Sequence, residues 1–217
     1  TKGGIVKKTI LSAFDTRRKG GIKAINLNQD DELRYVMLTD GKQDIILATR
    51  KGLSIRFKEE DVRSMGRGAT GVKGITLNRN DEVIGAGVVD DDAALLVICE
   101  NGYGKRTLLK YYKTQHRGGK GILTIKVSKR NGDVIGISVA NVDEELLMIS
   151  QNGIIIRQKV KDISATVGRS TMGVRLMRLD NGDHVVAFNV FKKDENEDEN
   201  GNGKPGAAKN GKEKKGK

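Results

Sequence analysis

The sequence lacks several residues on which common functional sites depend. Its 217 residues include no tryptophan, one proline, one cysteine and two histidines, and aromatic residues make up only 4 %. Cys99 has no partner for a disulfide within the chain, and these few ligands cannot supply a structural zinc site. No apolar run approaches the roughly 18 residues that span a membrane, and the N-terminus has no secretory signal. We therefore expect a cytoplasmic protein without a membrane segment or a metal site.

The charge balance and its distribution divide the chain into two parts. The 40 Lys and Arg residues exceed the 28 Asp and Glu residues, which gives a net charge of +12 and favours a polyanionic partner. Residues 192–217 contain no apolar residue larger than alanine, so we expect a disordered charged tail there. Residues 1–191 are the predicted folded domain. The chain does not begin with methionine, which indicates a piece of a longer protein.

Glycines reveal a repeat of about fifty residues. Gly4, Gly52, Gly102 and Gly153 begin similar segments, and a second glycine follows in each repeat at Gly21, Gly71, Gly121 and Gly173. This period is typical of a propeller or a solenoid. The approximate repeats are 1–44, 45–94, 95–145 and 146–191.

Each full repeat contains four apolar runs of strand length, and the third repeat shows them most clearly. They are Leu95 to Cys99, Gly104 to Leu108, Gly121 to Val127 and Val134 to Val139. Asn101-Gly102 between the first two runs predicts a two-residue hairpin turn. We predict an all-β, propeller-like array of about four four-stranded blades, with short helical turns near residues 58–63 and 159–163. The first repeat lacks its first run, so we expect the chain to begin inside a blade.

Basic residues recur in register with the glycines at three positions of the repeat. The first basic position comprises Lys8, Arg56, Arg106 and Arg157. The second comprises Arg17, Arg67, Arg117 and Arg169, and the third comprises Lys23, Lys73 and Arg175, with Leu123 in the third repeat. One lysine or arginine alone is most often a solvated surface charge. Recurrence in register instead predicts a basic track along one edge of the array, which would also include Lys105.

Such a track suits the phosphates of duplex DNA better than the base edges. No helix is available to enter a groove, and the eight aromatic residues are too few and too irregular to stack bases.

A glycine-rich segment of the third repeat adds a local anion site. It comprises Gln115, His116, Arg117, Gly118, Gly119, Lys120 and Gly121, hereafter the box. Its glycines would leave backbone amides open to a phosphate between two fixed positive charges.

The box and several blade segments resemble one known family. Gln115, Arg117, Gly118, Gly119, Lys120 and Gly121 match six of the seven positions of the Gln-Arg-Arg-Gly-Gly-Lys-Gly box in the C-terminal DNA-wrapping domain of the DNA gyrase A subunit, and His116 departs. The segment from Asn101 to Thr107 is also similar to blade segments of that family. The family's domain, a β-pinwheel, usually has six blades with the box in the first. The chain therefore resembles the last four blades, and its box is a second copy or that of a divergent member.

The resemblance implies a non-catalytic role. The domain would bind and wrap double-stranded DNA around a positive rim and would support negative supercoiling by the holoenzyme. ATP, magnesium and the catalytic tyrosine would belong to other parts of a complex with two gyrase A and two gyrase B polypeptides, so we expect no catalytic residue, cofactor or metal site here. Two alternatives remain open. One is the corresponding domain of topoisomerase IV, which binds or bends DNA without the same wrap, and the other is a propeller-like scaffold for protein partners.

Overall fold

The computed structural model describes residues 1–192, in which β-strands and four short 3-10 helices are joined by loops and turns. The predicted tail lies outside the described residues except for Lys192, which ends the last strand. The strands are β1 (Ile5–Val6), β2 (Asp44–Thr49), β3 (Leu53–Lys58), β4 (Val72–Lys73), β5 (Val83–Val88), β6 (Ala94–Cys99), β7 (Tyr103–Leu108), β8 (Ile122–Leu123), β9 (Val134–Ala140), β10 (Glu144–Ser150), β11 (Ile155–Lys159), β12 (Val174–Arg175) and β13 (Val185–Lys192). The 3-10 helices are Leu11–Phe14, Glu59–Asp61, Leu109–Tyr111 and Val160–Asp162.

The strands form four antiparallel sheets that follow one another along the chain. Two sheets have four strands, in the orders β5-β2-β3-β8 and β12-β7-β6-β9. The last sheet has the order β11-β10-β13, and the first contains β1 and β4 alone. The all-β propeller-like architecture is therefore confirmed. A hairpin turn also forms between β6 and β7, but its loop has three residues, Glu100 to Gly102, and not the predicted two. The Gly102 amide donates to the Cys99 carbonyl at 3.2 Å, and Gly102 has a φ of +74°.

The composition of each blade differs from the prediction in one respect. The third apolar run of a repeat forms a strand at the outer edge of the preceding blade and not in its own blade. Accordingly, β4 pairs with β1, β8 with β3, and β12 with β7. A glycine precedes each exchanged strand because the crossing brings two backbones together. A Cβ at Gly121 would lie 2.4 Å from the carbonyl oxygen of Ser54, and one at Gly173 would lie 2.4 Å from that of Gly104.

The hydrophobic core lies between adjacent blades. All six residues of β6 are buried, and their side chains alternate between two neighbouring clusters. Leu95 and Val97 pack with Ile46 and Ala48 of β2, whereas Leu96 and Ile98 pack with Leu146 and Met148 of β10. A strand buried on both faces explains the nearly continuous apolar sequence of this run.

The first repeat is less regular than the others. The structure contains no strand between Leu11–Phe14 and β2. Gly21-Ile22 therefore does not lead into a strand, whereas the equivalent glycines of the later repeats precede β4, β8 and β12. Val36 and Leu38 are each 81 % exposed, and the equivalent residues of the second repeat lie in β5. Among residues 1–192, no helix has the length and apolar character that crossing a membrane would require.

Candidate nucleic-acid interface

The box forms a loop that leads into β8 and is attached to the second repeat by backbone hydrogen bonds. The Gln115 amide donates to the Arg56 carbonyl at 2.8 Å, and the Gly118 amide donates to the Gly74 carbonyl at 2.6 Å. In return, the Thr76 amide donates to the Gly119 carbonyl at 2.8 Å. The loop is thus held at the junction of two repeats. The predicted open amide at Gly118 is not available for a phosphate, because it already donates within the protein.

Three side chains of the box differ in their surroundings: one supports the loop and two face solvent. The Arg117 guanidinium is half-buried and donates from Nε to the Asp61 carbonyl at 2.8 Å and from Nη1 to the Lys73 carbonyl at 3.0 Å. His116 and Lys120 are exposed, and His116 Nδ1 lies 3.9 Å from the Asp61 carboxylate. Lys120 is therefore the box cation with the most freedom to meet an external anion, whereas Arg117 also positions the loop.

Lysines of the preceding repeat, Lys7 just after β1 and Lys105 in β7, hold the equivalent loops of the second and fourth repeats. Lys7 Nζ donates to the carbonyl of Arg67 at 2.7 Å, and Lys105 Nζ donates to those of Gly168 and Arg169 at 2.8 and 3.0 Å. These contacts place the second basic position on loops fixed by the neighbouring blade. Arg67 and Arg169 are half-buried there, and Arg17 is exposed.

Lys105 is not part of the surface that the sequence predicts. The residue is buried, and burial, with a smaller contribution from the charge of Arg169, lowers the pKa of its ammonium group to about 8. An ammonium enclosed by carbonyl oxygens of its own chain cannot contact a phosphate in this conformation. The prediction that Lys105 contacts DNA is therefore corrected to a supporting role.

The first basic position connects successive repeats. Lys8, Arg56 and Arg106 each donate to a carbonyl oxygen in or next to the 3-10 helix of the following repeat. Only 11 % of the Arg56 side chain is exposed, and it also pairs with Asp44 and Asp91 at 2.7 Å each. Arg106 is only 8 % exposed. The sequence pattern predicts these two arginines on a basic rim. In the structure their side chains are largely buried, because they contact the following repeat.

The fourth repeat keeps its first basic residue at the surface. Arg157 is exposed, pairs with Glu145 and lies 5.2 Å from the centroid of the Phe191 ring. Its position on β11 leaves it accessible, while the carboxylate offsets part of its charge. Contact with DNA at this residue stays a prediction.

The third basic position lies on the exchanged outer strands, and its residues are exposed. Lys73 is in β4 and Arg175 is in β12, while Leu123 occupies the equivalent place in β8. Lys23 is also exposed, although the first repeat has no corresponding strand. The outer strands of the first and third sheets, β4 and β12, therefore carry exposed basic residues that a large external polyanion could reach.

Sequence reasoning missed one cation on this edge, Arg130, which lies beside the predicted Arg175. Arg130 Nε and Arg175 Nη2 both donate to the Tyr103 hydroxyl, at 3.3 and 3.0 Å. Tyr103 occupies a position that is isoleucine or leucine in the other repeats, at Ile5, Leu53 and Ile154. That break in the repeat was the available signal, since Arg130 itself has the pattern of an ordinary charged turn residue.

Comparison with known proteins agrees with this architecture. The family described as "DNA gyrase C-terminal domain, beta-propeller" matches four successive segments, at residues 1–40, 43–90, 94–141 and 144–192. Together the segments cover nearly all of the residues that the structure describes. The four matches reproduce the four repeats that the glycines mark.

Curated relatives carry one name. A DNA gyrase A subunit from Halalkalibacterium halodurans is 60 % identical over 186 residues, which are 86 % of this chain and 22 % of the relative. One from Clostridium acetobutylicum is 50 % identical over 197 residues, or 91 % of this chain and 24 % of the relative. One from Streptococcus pneumoniae is 55 % identical over 198 residues, with 91 % and 24 % covered. The chain thus spans about a quarter of the length of these relatives.

Two solved structures share the fold. The crystal structure of the C-terminal domain of DNA topoisomerase IV has a TM-score of 0.82 and 26 % identity, covering 88 % of this chain and 60 % of the other. A DNA gyrase A C-terminal domain has a TM-score of 0.77 and 27 % identity, covering 88 % and 63 %. With the matches to all four repeats, these likenesses lead to one conclusion: the chain belongs to the family of β-propeller C-terminal domains of DNA gyrase.

Proposed function

We propose that this chain binds double-stranded DNA by its phosphates and wraps it around the outer edges of the blades, as the non-catalytic C-terminal domain of a gyrase A polypeptide. The observation that carries the proposal is the exposed cations on or beside adjacent outer strands, namely Lys73 in β4, Lys120 before β8 and Arg175 in β12. Phosphate contacts of this kind position a duplex without reading its sequence. The path of the duplex would follow the order of the sheets.

The wider role is proposed by analogy with the gyrase A relatives. In the complete enzyme, this domain would associate with the rest of the gyrase A polypeptide and with the gyrase B polypeptide, in a complex of two copies of each. It would support ATP-dependent negative supercoiling, with ATP, magnesium and the catalytic tyrosine supplied by other parts of that enzyme. None of the tyrosines of this chain is proposed as a nucleophile. The domain would act in the bacterial cytoplasm, at the nucleoid.

The test is ligation of a nicked DNA circle with increasing amounts of protein, followed by measurement of the linking number against a protein-free control. Chiral wrapping predicts a shift in linking number that grows with protein concentration. Binding without a shift would favour the topoisomerase IV type of domain, an interpretation that the TM-score of 0.82 to that domain supports. Absence of DNA binding, with capture of a protein partner instead, would favour the scaffold alternative.

The contribution of the box is measured by the salt dependence of DNA binding. Replacement of Lys120 by alanine should lower the slope of log affinity against log salt by about 0.9, because one phosphate contact is lost. Arg117→Ala with Lys120→Ala should lower it by roughly 1 to 2. Lys42→Ala removes an exposed lysine outside the three basic positions and serves as the control. An unchanged slope in both box variants would exclude the box from the DNA path.

A further inference from the structure

The third blade carries a cluster of two arginines and a tyrosine. Arg175 belongs to the third basic position, whereas Arg130 and Tyr103 lie outside the recurring basic positions. Tyr103 in β7 accepts hydrogen bonds from Arg130 and Arg175 at its hydroxyl oxygen. The two guanidinium carbons also lie 5.2 and 5.5 Å from the centroid of the same ring. One tyrosine therefore holds two arginines together through its hydroxyl and its aromatic face. We call these three residues the Tyr103 cluster.

The cluster concentrates positive charge beside a surface hollow. Arg130 and Arg175 are exposed, and within residues 1–192 neither forms an ion pair with a carboxylate. Asp180 and Asp183 line the same hollow of about 330 Å³, but they lie outside ion-pair distance of both guanidinium groups. Hydrogen bonds from Arg130 and then Arg175 lower the pKa of the Tyr103 hydroxyl.

Two like charges held against one side chain repel each other unless an anion lies between or beside them. Each guanidinium uses one N–H group on the tyrosine oxygen and keeps others free. Planar guanidinium groups match the oxygen geometry of a phosphate. The arrangement is therefore suited to an external phosphate that both arginines contact.

The position of the cluster indicates which phosphate it would meet. Arg175 lies on β12, the outer edge strand of the third blade, and β12 pairs with β7 opposite Tyr103. The box leads into β8, the outer edge strand of the second blade. The cluster and the box thus belong to the outer edges of successive sheets in the array.

We propose that Tyr103, Arg130 and Arg175 form a second phosphate-binding site for duplex DNA, on the blade that follows the box-bearing edge. This inference rests on the proposed DNA-binding function and deepens it. The two arginines act as one unit on one phosphate, and Tyr103 positions them for it. A duplex that passes the box would then be held again at the third blade, which would fix the direction in which it continues.

The experiment measures DNA affinity of the full chain with Tyr103→Phe, Arg130→Gln, Arg175→Gln and the double arginine variant. Each single arginine replacement should weaken binding roughly tenfold, as expected for loss of a charge-assisted hydrogen bond. Because both arginines hold one phosphate, the double variant should be only slightly weaker than either single variant, whereas independent contacts would multiply their effects. Tyr103→Phe should also weaken binding although it changes no charge.

Matched controls separate this site from general charge effects and from the proposed function. Arg79→Gln removes one charge from an exposed arginine outside the cluster, and Tyr111→Phe removes a hydroxyl elsewhere. If the cluster variants behave like these controls while Lys120→Ala still weakens binding, the second site is wrong, and the proposed function stands on Lys73 and Lys120 without Arg175. If the unmodified chain does not bind DNA, the proposed function itself fails.

A second measurement distinguishes DNA from free phosphate. The Nε–H signals of Arg130 and Arg175 are followed by NMR during titration with duplex DNA and with inorganic phosphate at matched ionic strength. Shifts of both signals at DNA concentrations where phosphate has no effect support the proposal. Shifts with phosphate alone would overturn it, because the site would then bind a free phosphate.

Discussion

Lys105 illustrates at the scale of one residue how a cation can support an interface without touching its ligand. Its ammonium group is enclosed and donates to the carbonyls of Gly168 and Arg169, on the loop that carries the second basic position. The first repeat uses Lys7 for the same purpose at Arg67. Ile55 and Ile156 occupy this position in the other repeats. A buried lysine can thus support a loop from within the protein, whereas an exposed lysine remains available to an external anion.

The lowered pKa of Lys105 predicts a pH dependence of stability. The folded chain releases this proton near pH 8, whereas the unfolded chain releases it near the ordinary value of 10.5. Between these values the unfolded chain binds more protons, so the contribution of Lys105 to the free energy of unfolding rises with pH. Below about pH 8 the full cost of burying the charge is present. Above that value the cost is relieved progressively.

Replacement of Lys105 by methionine tests this dependence. The variant should lose the rise between about pH 8 and 10.5, measured as the difference from the unmodified chain in urea unfolding. At pH 7 it removes the buried charge but leaves the two carbonyls unpaired, which costs about 1 to 3 kcal/mol. Lys110→Met, at an exposed lysine, is the control. If the free energy of unfolding depends on pH in the same way for the Lys105 variant and the unmodified chain, Lys105 is not the source of the rise.

At the scale of the structural element, the first sheet differs from the others in its exposed apolar residues. It pairs β1 with β4 alone, and residues 33–38 of the first repeat form no strand. Val36 and Leu38 are largely exposed, and Leu33 and Met37 are partly so. Unpaired strand-like segments with exposed apolar side chains tend to associate with other chains. We therefore expect this face of the chain to mediate self-association in solution.

The double replacement Val36→Lys with Leu38→Lys should suppress that association. The added charges oppose burial of the face, and the dissociation constant for the dimer should rise by about tenfold or more. Sedimentation velocity over a range of concentrations measures the effect. Asn28→Lys with Gln29→Lys adds the same charge at exposed turn residues and should change it much less. Equal association in both double variants would show that another surface is responsible.

At the scale of the whole molecule, glycines in the innermost strands let neighbouring blades pack closely. A Cβ at Gly85 in β5 would lie 2.2 Å from Ile137 Cγ1 in β9, and one at Gly136 in β9 would lie 2.6 Å from the ring of Phe188 in β13. The second blade thus packs against the third, and the third against the fourth, through positions with no room for a side chain. These contacts couple the blades mechanically.

Gly85→Ala should therefore destabilise the array as a whole. Overpacking of this kind costs about 1 to 3 kcal/mol, and we expect one cooperative transition at lower denaturant in chemical unfolding. Gly20→Ala is the control, because a Cβ there meets no heavy atom within 4 Å and its φ is not positive. Unchanged unfolding in the Gly85 variant would mean that the blades are separated more widely than the structure indicates.

The sequence by itself determined the class of fold, the number of repeats and the presence of an unusual basic pattern. These features are local or periodic: glycines mark turns, apolar runs mark strands, and spacing alone places Lys73 and Arg175 at equivalent positions. The turn at Asn101-Gly102 and the short helices Glu59–Asp61 and Val160–Asp162 follow from the same local signals.

The tertiary structure alone decided which strands share a sheet and which cations remain exposed. Exchange of β8 and β12 to preceding blades joins segments far apart in the chain, and no local pattern encodes the partner of an edge strand. Arg56 and Arg106 match Arg157 in sequence position, yet contacts with the following repeat enclose the first two, whereas Arg157 is exposed. Periodicity fixes the position of a side chain within its repeat, but neighbouring repeats determine its accessibility and charge environment.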